Sequence, residues 1–221
     1  MARVKDNIFG GVSGRIGNVV SCQRYGKYYL RTLPVEVKHP DTERQLEQRM
    51  RFALIQELQQ SLRKFLRVGF GAYAEGRSAY NAAMSYNLKN ALTGGYPDIR
   101  IDFPKVQVSK GTLAPAEITA LQQNASGSIT ITWQNNSSGR NSNGSDRVLV
   151  LLLATEPYNS STLYLNDLRL NGQATFPLPD ALKNRSIHVY MSFFAEEIFA
   201  GNIQPKHISD SVYCGEVVIN N

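Results

Sequence analysis

The spacing of apolar residues changes once along the chain, and this change restricts the fold more than any other feature. Between residues 42 and 92, apolar side chains recur every three or four positions, as they do along one face of an α-helix. From Tyr96 onward they alternate with polar residues or form short runs, a pattern typical of β-strands. Helices followed by strands predict a fold of the α+β class.

Two helices are predicted in the first part of this pattern. Thr42, followed three residues later by Gln45, has the form of a capping box, so the first helix begins there. Gly69 ends it, and the second helix covers residues 78–92. Because a short glycine-rich turn joins the two helices, we expect them to form an antiparallel pair.

The remainder of the chain contains many short segments typical of strands, with turn residues between them. They are residues 99–103, 105–108, 117–121, 128–133, 147–153, 163–165, 173–176, 187–194 and 211–219. Seven or more such strands predict an antiparallel β-sandwich of immunoglobulin or fibronectin III type. Residues 147–153 are almost entirely apolar, which indicates a buried central strand, and Trp133 is expected in the core.

A β-ribbon is predicted before the helices. Residues 16–24 and 27–33 are rich in β-branched and aromatic side chains, and Tyr25 and Gly26 occupy the place of a hairpin turn. A flexible glycine-rich arm, residues 9–14, precedes the ribbon. Since an isolated hairpin is marginal in water, we expect the ribbon to lie on its own helices or on a neighbouring subunit.

These elements predict two domains of different charge. Residues 1–95 form a basic region with the arm, the ribbon and the helices, and residues 96–221 form the sandwich. Residues 1–92 carry 15 basic and seven acidic side chains, a net charge of +8, whereas residues 93–221 have a net charge of −2. This asymmetry indicates that the N-terminal part meets a polyanion or an acidic protein surface. A merely solvated basic face is the alternative.

No motif with catalytic or metal-binding spacing is present in the sequence. His39, His188 and His207 lie in three separate segments, which disfavours a metal site. Cys22 and Cys214 are the only cysteines, and two cysteines exclude a disulfide framework and a four-cysteine zinc site. We therefore expect a protein that is not an enzyme and has no cofactor, no metal and no small-molecule substrate.

Seven residues of the ribbon are the candidate contacts to a partner, because they combine cationic and tyrosine side chains. They are Arg15, Arg24, Tyr25, Lys27, Tyr28, Tyr29 and Arg31. Basic groups interleaved with aromatic rings can hold a phosphate backbone and stack on bases. The same set suits an interface with an acidic neighbouring subunit, in which tyrosine is a frequent aromatic. Both interpretations stay open.

Several motifs follow one another along nearly the whole chain. They are Gly10-Gly-Val-Ser-Gly-Arg-Ile-Gly-Asn-Val-Val20, Arg31-x-x-Pro34, His39-Pro-Asp-Thr-Glu-Arg-Gln-Leu-Glu-Gln-Arg49, Phe52-Ala53, Ala79-Tyr-Asn-Ala-Ala-Met-Ser-Tyr-Asn-Leu-Lys-Asn-Ala91, Lys105-Val-x-Val-Ser-Lys-Gly111 and Val212-Tyr213. With them the chain resembles an uncharacterised protein family of the Bacteroidota, a domain of unknown function. Its opening is also similar to short phage structural proteins, although Asp41 stands where those carry arginine. The family resemblance implies no catalytic residues.

We therefore expect a structural or assembly subunit of a phage virion or a similar multimeric particle. Its arm and helices would contact further copies of the chain or other assembly subunits. The alternative is a cytoplasmic nucleic-acid-binding protein that uses the basic N-terminal half. The first residues contain no apolar stretch, and the longest apolar run, residues 148–154, is far shorter than the roughly 20 residues that cross a bilayer. Neither a secretory signal nor a membrane span is expected, and the predicted location is the virion or the cytoplasm.

Overall fold

A computed structural model of the chain describes residues 2–4, 13–33, 42–124, 127–155, 157–199 and 202–218. Most of the predicted arm, and the predicted extended linker of residues 35–39, lie outside the described residues. The chain divides into two units, Met1–Gln45 and Leu46–Asn221. The boundary predicted near residue 95 falls inside the second unit, because the helices share a hydrophobic cluster with the strands that follow them.

The first unit contains a four-stranded antiparallel sheet. Its strands are β1 (Ala2–Val4), β2 (Gly14–Ile16), β3 (Val19–Arg24) and β4 (Lys27–Thr32), in the order β1-β4-β3-β2. The predicted hairpin is confirmed as β3 and β4. Tyr25 and Gly26 have φ of 50° and 75°, the left-handed values of the tight turn that suits twisted hairpins. Ile16 belongs to the additional strand β2, because the chain reverses at Gly17 and Asn18.

Three helices follow, where the sequence predicts a pair. They are α1 (Glu43–Ser61), α2 (Arg63–Gly69) and α3 (Ala79–Asn90). The predicted first helix is interrupted at Leu62, whose N–H donates to the Gln59 carbonyl three residues back, at 3.2 Å. The Ser61 hydroxyl donates to the Leu58 carbonyl at 2.8 Å. These two bonds tighten the last turn of α1, so α2 begins as a separate helix, and α2 then packs against α3.

The strands of the second unit form three antiparallel sheets. They are β5 (Leu92–Thr93), β6 (Arg100–Ile101), β7 (Glu117–Gln123), β8 (Ser128–Gln134), β9 (Arg147–Ala154), β10 (Asn159–Leu168), β11 (Gln173–Pro177), β12 (Ser186–Phe199), β13 (Asn202–Ile208) and β14 (Val212–Val218). The largest sheet has the order β10-β9-β12-β13, with β14 also paired to β12. The order of the second sheet is β11-β8-β7, and β5 pairs with β6. The predicted α+β class is confirmed.

Two hydrophobic clusters cover opposite faces of the five-stranded sheet. Alternate residues of β9, Val148, Val150 and Leu152, pack with residues of the three-stranded sheet. The intervening residues Leu149, Leu151 and Leu153 pack with residues that lie in the three helices or next to their ends. Because both faces are covered, β9 is apolar at every position after Arg147, as predicted for a buried central strand. Trp133 is buried in the first cluster, also as predicted.

The structure replaces the strand predicted over residues 105–108 with a short 3₁₀ turn and a loop. The Asn87 amide donates to the Gln107 carbonyl at 3.0 Å and accepts the Gln107 N–H at 2.9 Å. The Val108 N–H donates to the Ser211 hydroxyl at 3.0 Å. Because side chains satisfy these backbone groups, Val106 and Val108 are buried without a partner strand.

Candidate functional site

The register of the N-terminal sheet divides the seven candidate contact residues between two faces and a turn. Successive side chains of a strand point to opposite faces, and directly paired residues share a face. The pairs that share one face are Arg15 with Val20, Val20 with Arg31, Cys22 with Tyr29 and Arg24 with Lys27. We call this face, with Arg15, Arg24, Lys27, Tyr29 and Arg31, the basic face. Tyr28 lies on the opposite face, and Tyr25 lies in the turn.

No carboxylate neutralises the basic face from within its own strands. Residues 13–33 contain no Asp or Glu, and within the part of the chain that the structure describes the four cations form no ion pair. Arg24 and Lys27 are direct cross-strand neighbours, which places their Cβ atoms about 5 Å apart. The Arg24 guanidinium lies 5.5 Å from the centre of the Tyr25 ring. The face therefore presents exposed positive charge to any anionic surface that approaches it.

The opposite face of the same sheet is apolar and accessible. Ile16 is 60% exposed and Val19 is 38% exposed, while Tyr28 and Leu30 are half-buried. Among residues 13–33, Ser21 alone is buried. A sheet with this distribution has no hydrophobic core of its own, so its stability depends on a surface that covers it.

His188 and Cys214 are two titratable groups of the second unit whose altered pKa values come from packing. His188 is buried, its Nδ1 lies 3.0 Å from the Tyr213 hydroxyl, and its ring stacks on Phe103 with 3.9 Å between ring centres. Burial lowers the pKa of His188, and the charge of Glu216 opposes that shift. Burial raises the pKa of the Cys214 thiol to about 12, which keeps it protonated and unreactive at neutral pH.

A buried arginine organises the polar loop between β8 and β9. Arg169 is fully buried, and its Nε lies 3.0 Å from Asp146 Oδ2. Its other guanidinium nitrogens donate to Asn136 at 2.6 Å and to the Ala114 carbonyl at 2.9 Å. The guanidinium also lies 3.9 Å from the centre of the Phe193 ring. Sequence reasoning missed this residue, because its partners are 23 to 55 positions away along the chain.

A second cationic surface lies on α2, where the sequence indicates only an ordinary polar helix face. Arg63, Lys64 and Arg67 are exposed there. Arg63 and Lys64 line two neighbouring clefts, of about 1120 and 610 Å³. The sequence feature that could have identified this surface is the density of charge, since three cations occur within five residues.

Neither a metal centre nor a membrane-spanning helix occurs in the part of the chain that the structure describes. No three His, Cys, Asp or Glu side chains there come close enough together to hold a metal ion. None of the helices there combines the length and the apolar character that crossing a bilayer requires.

Comparison with known proteins gives one match. No curated protein and no solved structure matches the chain. A family model matches residues 11–215, and it describes a family of unknown function (DUF6266). The matched range includes the hairpin that carries the basic face, the three helices and most of the strands of the second unit. The chain therefore belongs to this family of unknown function, DUF6266.

Proposed function

We propose that the chain is a non-enzymatic structural or assembly subunit of a multimeric particle. The observation that carries this proposal is the accessible apolar face of the N-terminal sheet, on which Ile16 and Val19 are exposed. Covering apolar surface stabilises a complex by about 25 cal/mol per Å² removed from water. A sheet without its own core gains this energy when a second subunit covers it, so the N-terminal unit is the contact element.

The basic face gives the same sheet a second contact surface of defined charge. Its exposed cations would attract an acidic patch on the neighbouring subunit, and the half-buried Tyr29 supplies an aromatic ring of the kind that interfaces favour. The partner is a further copy of this chain or another assembly subunit. The resemblance to phage structural proteins supports a phage virion as this particle. The resemblance to a Bacteroidota family supports a source in that group.

For the second unit we propose an immunoglobulin-like or fibronectin III-like sandwich. The three-stranded and five-stranded sheets contribute alternate residues to one hydrophobic cluster, which supports this arrangement. Trp133 lies within that cluster, 5.7 Å from the Phe193 ring in an edge-on contact. A module of this kind would project from the particle or decorate it.

The assembly role is tested with charges placed on the apolar face. The full chain carrying Ile16→Glu and Val19→Glu is compared with wild type by size-exclusion chromatography with light scattering. The control is Leu170→Glu, because Leu170 of the second unit is 59% exposed, close to the 60% of Ile16. We expect wild type and the control to be multimers and the double variant to be a monomer. A double variant with the wild-type mass would refute the proposed contact.

A second proposal is that the chain is a cytoplasmic nucleic-acid-binding protein that uses its basic N-terminal half. The shared face of Arg15, Arg24 and Arg31 supports it, since clustered cations neutralise neighbouring phosphates. Binding through several phosphates releases counterions, so the affinity would fall steeply between 50 and 200 mM salt, by roughly 10³-fold for six contacts. An affinity for nucleic acid that is independent of salt would exclude binding through phosphate contacts.

A further inference from the structure

Within the described residues, the cations of α2 lack the carboxylate partners that several other cations have. Arg51, Lys105 and Lys183 each pair with an acidic residue three or four positions away, at 3.6, 2.7 and 2.6 Å. Arg63, Lys64 and Arg67 form no ion pair within the described residues. Arg63 and Arg67 are also one helical turn apart, so their like charges repel each other. This arrangement of charges therefore does not stabilise the folded chain.

The side chains around α2 line two adjoining clefts, which together we call the groove. The larger cleft, of about 1120 Å³, is lined by the three cations together with Ser78 and Tyr80. The smaller cleft, of about 610 Å³, lies beside β10. Because Arg63 and Lys64 line both, the two clefts meet at these side chains. The groove therefore crosses α2 with positive charge at its centre.

Hydroxyl groups form the walls of this groove. The Ser160 hydroxyl donates to the Ser61 carbonyl at 2.6 Å, which holds β10 against the end of α1. Ser161 and Thr162 line the smaller cleft beside it. On the other wall, burial raises the pKa of the Tyr80 hydroxyl, and the positive charge of Arg63 opposes that rise. Guanidinium groups and hydroxyls are the common protein donors to phosphate oxygens.

We propose that this groove binds the phosphate backbone of a single-stranded nucleic acid. The proposal rests on the second function proposed above, but it places the contact on α2 instead of the N-terminal sheet. Tyr164 in the smaller cleft is 50% exposed and provides a ring on which an unpaired base can stack. Among the lining residues only Ala79 and the buried Phe65 are otherwise apolar. The three exposed cations of α2 favour a polyanion as the occupant of this groove.

The test uses the full chain and a fluorescein-labelled 20-nucleotide oligothymidine, with the dissociation constant measured by fluorescence anisotropy from 50 to 300 mM NaCl. One variant carries Arg63→Gln, Lys64→Gln and Arg67→Gln. Its matched control carries Lys89→Gln, Arg100→Gln and Arg140→Gln, three exposed cations outside the groove and the basic face, so both variants lose three positive charges. Circular dichroism checks the fold of each. If the triple variant of α2 does not fold, the single variant Arg67→Gln, with Arg67→Lys as its rescue, replaces it.

We expect wild type to bind and the triple variant of α2 to bind at least tenfold more weakly. The slope of log affinity against log salt should also become less steep by about 2, since each phosphate contact on a single strand contributes about 0.7. The control variant should weaken binding less than threefold, Arg67→Gln about threefold, and Arg67→Lys should recover most of that loss.

Four results would overturn the assignment. Wild-type affinity of the triple variant of α2 would leave nucleic-acid binding in place but move it away from α2. Equal losses in both triple variants would show that only net charge matters. Absence of binding by wild type at 50 mM NaCl would refute both the site and the function. Poly-glutamate that displaces the oligonucleotide equally well at equal charge would instead identify the groove as a site for an acidic protein.

Discussion

Arg24 and Lys27 face each other across the last pair of the β3–β4 hairpin, on the same side of the sheet. Like charges in this position destabilise a hairpin, and residues 13–33 supply no carboxylate to separate them. The sheet therefore contains a repulsion that an acidic partner removes. The same sheet leaves Ile16 and Val19 accessible on its other side. Both features favour a role in contacts between subunits.

Replacing Lys27 with glutamate should separate stability from assembly. Lys27→Glu turns a repulsive cross-strand pair with Arg24 into an attractive one, worth about 0.2–1 kcal/mol in favour of the hairpin. The same change weakens the attraction of an acidic partner, so the mass measured by light scattering should fall while thermal stability is kept. Lys89→Glu, which makes the same change of charge on α3, should leave the mass unchanged. Equal effects of the two variants would contradict the proposed role of the basic face.

The buried ion pair of Arg169 and Asp146 should be essential to the second unit. Arg169→Met leaves the Asp146 carboxylate without its main partner inside the protein, and breaking a buried pair costs about 3–5 kcal/mol. Urea denaturation measures this loss in the free energy of unfolding. Lys183→Met is the control, because the Lys183–Asp180 pair is exposed and exposed ion pairs contribute little to stability. Losses of similar size in the two variants would show that the Arg169 network is not a stabilising centre.

His188 should make stability depend on pH. Burial lowers its pKa in the folded chain, whereas the unfolded chain keeps a value near 6.5. The unfolded state therefore binds a proton more readily, so the stability that is present above about pH 6.5 decreases as the pH falls below it. The free energy of unfolding should drop between pH 7.5 and pH 5.5, and His188→Gln should reduce that drop.

Wild type provides the reference for this measurement. The account of His188 fails if His188→Gln and wild type lose equal stability over this range.

Gly111 should tolerate no side chain. A Cβ atom at this position would overlap the carbonyl oxygen of Ile208, and overpacking of this kind costs about 1–3 kcal/mol. Gly95→Ala is the control, because a Cβ at Gly95 meets no atom within 4 Å. Thermal denaturation of Gly111→Ala should therefore show a clear loss that Gly95→Ala does not. If Gly111→Ala were as stable as wild type, the backbone at Gly111 would be able to move away from Ile208 without a loss of stability.

Periodicity predicted the parts of the fold in which neighbouring residues decide the structure. The run from Val148 to Ala154 indicated a strand buried on both faces, and Tyr25 with Gly26 indicated the hairpin turn; the structure confirms both. The interruption at Leu62 was not predictable from the apolar stripe, because the stripe continues through it. The interruption depends on hydrogen bonds of Leu62 and Ser61, and the spacing of apolar residues does not indicate such bonds.

The candidate sites were predicted only in part, because they depend on register and on distant contacts. Composition identified the cations of the ribbon, but only the pairing of β3 with β4 places Tyr28 on the face opposite Arg31. The groove at α2 combines Arg63 with hydroxyls of β10, about 100 positions further along the chain. No local pattern brings such residues together.

The most direct test of the central proposal is the mass of the unmodified full chain in solution. Size-exclusion chromatography with light scattering, at several protein concentrations and with absorbance at 260 and 280 nm, gives the mass and detects bound nucleic acid. The assembly role predicts a protein-only multimer, with a mass that is a multiple of the 24.6 kDa chain. A monomer at every concentration would contradict it, and a monomer that carries nucleic acid removable by salt would establish the second function instead.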